Sequence, residues 1–216
     1  MTDAVHLDEL RAIADELSSP GGDTASLQAL DIALIEIGLS VAVTSLNRTA
    51  FRSALASAYA KGATAEQVQE VVSLVSGLGV HSLMISAVDI LHGTKSIEHT
   101  PLTEEQSALW DKYVAGNRFW QEFERDMPGF LTSLLRVSTN QFVGFFEYCS
   151  IPWRTQTVPA VLKELIAMGT DATPTHRFLP GFRLHLANAI KLGASRAAIF
   201  ETLELAANAP PHEGTR

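Results

Sequence analysis

Apolar positions along this chain recur every three to four residues, and an alternation in twos is almost absent, so the pattern predicts helices and no sheet. Leu7, Leu10, Ile13 and Leu17 form one stripe, stopped by Ser-Pro-Gly-Gly at 19–22. Residues 24–43 are apolar nearly all round, which marks a central helix. A helix over 47–62 follows, with Gly62 suited to the left-handed position after its end. Thr64 with Gln67, and later Thr103 with Gln106, have the spacing of a capping box and open helices over 64–79 and 103–126. The second of these ends before Met127-Pro128-Gly129. An aromatic-rich helix over 130–150 should break at Ile151-Pro152, and Pro159 suits the first residue of a helix over 159–170. The last two helices cover 179–193 and 195–209 and are closed by Pro210-Pro211. The fold class is all-α.

Sliding the chain on itself by 131 residues exposes an internal repeat. Ala58, Gly62, Ala63, Glu70, Leu74 and His81 fall on Ala189, Gly193, Ala194, Glu201, Leu205 and His212. Thr64 meets Ser195, Val68 meets Ile199, and upstream Gly38 meets Gly169. Identities, caps and the glycine stop agree, which makes chance a poor explanation. The predicted organisation is a first helical repeat over 1–95, a connector over 96–117 and a second repeat over 118–216, packed as one body. A twofold-like arrangement of equal helices should result.

Composition narrows the class. The 216 residues, 46% of them hydrophobic, suffice for a sizeable core. A net charge of −8 disfavours nucleic acid and anionic membrane as partners, because like charges repel. Cys149 is the only cysteine, so no internal disulfide and no CxxC centre exist. The first residues are acidic and amphipathic, unlike a signal peptide. The longest uncharged run, Val71–Val88, holds four serines, two glycines and His81, and reads as a buried helix. These features predict a soluble, cytoplasmic protein.

Candidate chemistry is sparse. Glu36 and Glu164 each interrupt an apolar helix, where a carboxylate must be paired, protonated or at a cavity. The repeat sets Ala33 against Glu164 and Ala54 against His185, so only the second copy holds both a carboxylate and an imidazole at these places. Glu164 and His185 are therefore the candidates for proton transfer, and Glu36 is favoured as structural. His176 and Arg177 precede the helix of His185, and Arg183 lies on another face of it. With His212, which follows Pro210-Pro211, they are candidates for holding a substrate, arginine being suited to a carboxylate. His81 and His212 occupy equivalent positions, which also fits a structural role. No metal-ligand spacing and no nucleotide-binding glycine loop is present, so neither metal nor cofactor is expected. Trp110, Phe119, Trp120, Phe123, Phe142, Phe145 and Phe146 read mainly as core, with an apolar pocket lining as the alternative. Cys149, within the aromatic helix, reads as a buried inert thiol.

The stretch "ELIAMG" followed by "FRLHLANAIKLGASRAAIFETLELAA" resembles the carboxymuconolactone decarboxylase and alkyl hydroperoxidase D-like family. The likeness covers residues 164–207 well and the first copy more loosely. It rests on a glutamate in one helix and a histidine in the next, before a glycine stop. Glu164 and His185 match at a spacing of 21, with extra length in "TDATPTHRFLP". The peroxidase branch carries CxxCxxxH, whose cysteines would fall at Phe178 and Gly181, so disulfide-linked peroxide reduction is not implied. The resemblance implies an all-helical homo-oligomer. As activity it implies a cofactor-independent lyase on a small carboxylated lactone or related organic acid. Two rivals stand beside it: a non-catalytic small-molecule-binding or structural oligomer, and a cofactor-free hydratase or isomerase.

Overall fold

A computed structural model describes residues 4–18, 24–94 and 99–214, and among these every regular element is helical. The Ser-Pro-Gly-Gly stop at 19–22 lies outside the described residues. Contacts do not divide the chain at 95 and 118. They group the described residues up to Leu78 with those from Pro152 onward, and gather residues 79–151 into a second unit. The reason is that the chain returns after residue 152 to pack helix on helix against its own beginning.

The first unit contains α1 (Leu7–Leu17), α2 (Ala29–Val41), α3 (Arg48–Ala60) and α4 (Ala65–Ser76), then α10 (Ala160–Asp171), α11 (Leu179–Lys191) and α12 (Arg196–Ala207). Between them the chain forms α5 (His81–Thr94), α6 (Glu104–Trp110), α7 (Arg118–Asp126), α8 (Phe130–Val137) and α9 (Thr139–Arg154). α2 and α10 pack on each other at the centre of the first unit. Each then packs on α3 and α4 or on α11 and α12 of its own half, and each also touches the last helix of the other half. Leu34, Ile35, Ile37, Ile166, Met168, Phe182 and Leu186 are fully enclosed there. Burial of such side chains contributes roughly 1.5–3 kcal/mol apiece.

The spacing of 131 recurs in the backbone itself. α3 and α4 begin and end 131 residues before α11 and α12. Ser45 N and Leu46 N both donate to Ala42 O, as His176 N and Arg177 N both donate to Thr173 O. Leu46 and Arg177 are the two non-glycine residues with positive φ among those described, at 41° and 50°. Gly62 and Gly193 take φ of 90° and 92° after α3 and α11, a region that costs glycine nothing. Two further equivalent glycines allow close helix approach. A Cβ on Gly38 would lie 2.8 Å from Ile166 Cγ2, and one on Gly169 would lie 2.9 Å from Thr202 Cγ2.

Several element boundaries depart from expectation. The helix predicted from residue 24 starts at Ala29, because Gln28 caps it reciprocally with Asp31 and Leu27 N is held by the Glu201 carboxylate at 2.7 Å. The 103–126 helix is interrupted around Gly116-Asn117, where Asn117 Oδ1 accepts from Phe119 N and starts α7 afresh. Ser138 Oγ accepts from Gln141 N and likewise separates α8 from α9. α9 continues through Pro152 to Arg154: proline's missing donor costs one bond, close enough to the helix end for the last turn to survive. The capping boxes at Thr64 and Thr103 form as expected, and Pro159 caps α10 from one residue before it.

In the second unit, Phe123, Phe130, Phe142, Phe145 and Phe146 are buried, while Phe119 is exposed. Trp120 meets Phe123, Phe145 and Phe146 edge-on at centroid distances of 4.8–5.6 Å, so this aromatic group is a packed core. The Val71–Val88 run is buried only in part. α4 packs through Val68, Val71, Leu74 and Val75, whereas on α5 Ile85 is 69% and Ile90 50% exposed. By length and composition the helical run Ala65–Thr94 could cross a membrane.

Candidate active site

α10 and α11 are the most closely packed helix pair, and their shared face carries the polar residues. Glu164 and Asp171 stand seven residues apart on α10, two turns along one face. His185 and Asn188 stand three apart on α11. His185 Nδ1 lies 2.6 Å from Glu164 Oε2, and Asn188 Nδ2 donates to Glu164 Oε1 at 3.2 Å. Both carboxylate oxygens are thus held by α11. The Glu164 side chain is 7% exposed and that of His185 20%. With Nδ1 donating to the carboxylate, Nε2 is the nitrogen left to exchange a proton.

Burial disfavours the charged imidazole. The Glu164 hydrogen bond, the Glu164 charge and the Asp171 charge outweigh it, and the pKa of His185 is raised above the ordinary imidazole value. The protonated imidazole is therefore favoured beside Glu164 relative to a free ring. A raised native pKa stabilises the fold fully below the unfolded imidazole pKa, about 6.5, and that stabilisation is lost as pH rises through the native value. NMR titration of the His185 ring should give a midpoint above that of free imidazole, and Glu164→Gln should move it down. Wild-type stability relative to His185→Ala should shrink as pH rises from 6.5. A midpoint at or below 6.5 in the wild type would contradict this assignment.

Asp171 was not among the residues singled out from sequence, nor was Asn188. The signal was available as a seven-residue step from Glu164 and a three-residue step from His185. The Asp171 side chain is buried at the N-terminal turn of α11, where a negative charge is favoured. His176 Nε2 lies 3.5 Å from its Oδ1. A Cβ on Gly181 would collide with the Asp171 carboxylate and approach the Phe178 ring to 2.8 Å. The space beside Gly181 is therefore filled by the carboxylate that neighbours His185.

The remaining candidates separate. Arg177 is half-buried, and its Nη1 is buried with no hydrogen-bond partner among the described residues. Burial, and then the charge of Arg11, lower its pKa. Its positive φ is shared by Leu46, so that strain belongs to the repeated turn and not to the guanidinium. Arg183 and His212 are exposed, and no hydrogen bond or ion pair joins either to Glu164 or His185. Glu36 lies on α2, outside this cluster. Cys149 has its thiol pKa pushed up to about 11 by burial, which leaves it a poor nucleophile.

A solved structure of a Burkholderia xenovorans LB400 protein, provisionally described as a gamma-carboxymuconolactone decarboxylase subunit, matches with a TM-score of 0.69 and 27% identity. The match covers 83% of this chain and 71% of that one. The fold is the all-α, carboxymuconolactone decarboxylase-like one. Scans against protein-family models and the curated proteins found no match. Within this carboxymuconolactone decarboxylase-like fold, the α10–α11 face is where a buried carboxylate meets an imidazole.

Proposed function

We propose that this chain is a cofactor-independent lyase that removes carboxylate from a small lactone or related organic acid. The observation that supports the reading is the Glu164–His185 pair at 2.6 Å, with an imidazolium favoured and Nε2 left to the substrate. In the reaction the C–C bond to the carboxylate breaks and CO2 leaves. The electron pair stays as an enolate conjugated with the lactone carbonyl. His185 Nε2–H stabilises that oxyanion or delivers a proton to the carbon skeleton, and the imidazole regains a proton from solvent. Glu164 fixes the tautomer and keeps the ring charged until the proton is needed. His176 stands beside Asp171 at the margin of the site. The match to a protein described as a decarboxylase subunit favours this class over a hydratase or isomerase. We further propose a homo-oligomer, in which exposed Ile85 and Ile90 are covered.

The test is a γ-carboxylated butenolide labelled with 13C in the carboxylate and incubated in D2O. One labelled CO2 per turnover and one solvent deuterium in the product are expected. A shifted double bond with the label retained would make the protein an isomerase, and no turnover across a panel of carboxylated lactones would remove the lyase reading.

A further inference from the structure

The repeat contains a second, unrelated asymmetry. In one half, Lys163 on α10 reaches Glu70 on α4, Nζ to Oε1 at 2.5 Å, and both side chains are buried. In the other half, 131 residues away, Ile32 stands at the place of Lys163 and Glu201 at the place of Glu70. Both glutamates keep one shared task. Glu70 Oε2 accepts from Thr157 N at 3.2 Å, ahead of α10, and Glu201 Oε2 accepts from Leu27 N at 2.7 Å, ahead of α2. Glu70 also takes a bond from the Thr157 hydroxyl. The ammonium is missing from the second half, and there an open, largely apolar groove of about 420 Å³ lies between α2 and α12. Ile32, Phe200, Glu201, Glu204, Leu205 and Asn208 line it.

We infer that this groove binds a primary alkylammonium ligand, whose charged head takes on Glu201 the place that Lys163 Nζ takes on Glu70. Glu201 has one oxygen on Leu27 N, and its other oxygen has no hydrogen-bond partner among the described residues. Glu204 is engaged by Arg11 at 2.5 Å, and Arg196, over the Phe200 ring at 4.6 Å, is paired with Asp15. Glu201 is left as the unmatched charge, so a monocation is the complementary ligand. Ile32, Phe200 and Leu205 supply apolar wall for an alkyl tail. In the α4–α10 pair an ammonium on four methylenes fits the equivalent place.

The site is independent of the proposed lyase chemistry. Calorimetric titration of the full chain with n-hexylammonium, n-hexanol and hexanoate tests it. Saturable binding of the ammonium alone is expected, weakened about tenfold or more by Glu201→Gln, the scale of one charge-assisted hydrogen bond. Ile32→Lys should abolish it by supplying the head group from the chain, and His185→Ala should leave it unchanged. Should Ile32→Lys fail to fold, Leu205→Trp fills the groove instead and should also block binding. Equal binding of hexanol, insensitivity to Glu201→Gln or to groove filling, or no saturable binding would each overturn the assignment.

Discussion

His185→Ala should lower turnover by roughly 10²- to 10⁴-fold, the scale for losing a positioned acid or base. It should also cost some stability, because Glu164 would then keep only the Asn188 bond at 3.2 Å while remaining buried. Mismatching such a carboxylate costs about 1–3 kcal/mol. The repeat says how to separate the two effects. Ala33 and Ala54, the counterparts of Glu164 and His185, are both buried, and the helix pair there packs without any polar link at these places. The double variant Glu164→Ala/His185→Ala should therefore recover part of the stability that either single variant loses, while its turnover stays at the His185→Ala level or lower. Thermal midpoints and kcat on the labelled lactone, measured for all three variants, decide the matter. Activity that follows the folded fraction and returns with stability in the double variant would make the pair structural.

The helical class was legible because caps and periodicity act locally: Thr64 with Gln67 closes its box whatever packs above it. The spacing of 131 between helix ends was legible for the same reason, since a glycine stop and a hydroxyl cap mark helix ends locally. Glu164 stood out as a carboxylate in an apolar helix and His185 by contrast with Ala54, which needs only the alignment of the chain with itself. What the sequence could not carry was tertiary. The early start expected for α2 overlooked that Glu201, 174 residues away, holds Leu27 N. Which helices meet at the centre, α2 against α10, is likewise set by long-range packing. Asp171 was passed over because nothing local distinguishes a buried aspartate at a helix end from a solvated one. Its meaning comes from Gly181 and His176 after the chain has turned back.

Lys163→Met should be among the most damaging single substitutions outside the candidate active site, at about 3–5 kcal/mol, because it leaves a buried carboxylate without its cation. Lys163 Nζ donates to Pro152 O at 2.8 Å and to Thr155 O at 2.9 Å besides pairing with Glu70, and it lies 5.4 Å from the Trp153 ring. It thus ties the segment ahead of α10 to the core. Burial raises the pKa of Glu70, but the bonds from Lys163, Thr157 and Thr155 and the lysine charge win, and the net shift is downward. A depressed carboxylate contributes stability that is present above its unfolded pKa, about 4.3, and is lost as pH falls through the native value. Removing the lysine reverses the sign: burial then dominates, Glu70 favours its proton, and the variant's deficit relative to wild type should shrink as pH falls from 7 to 4.5. Glu70→Leu/Lys163→Met should restore much of the loss at pH 7, since an apolar pair of similar volume avoids the desolvation cost. Ile32, already at the equivalent place in the other half, shows that an apolar side chain is accepted on the matching helix face. Urea unfolding of the three proteins at both pH values is the measurement. A single variant that loses less than about 1 kcal/mol, or a deficit that grows toward acid pH, would show that the pair is not the clasp its geometry describes.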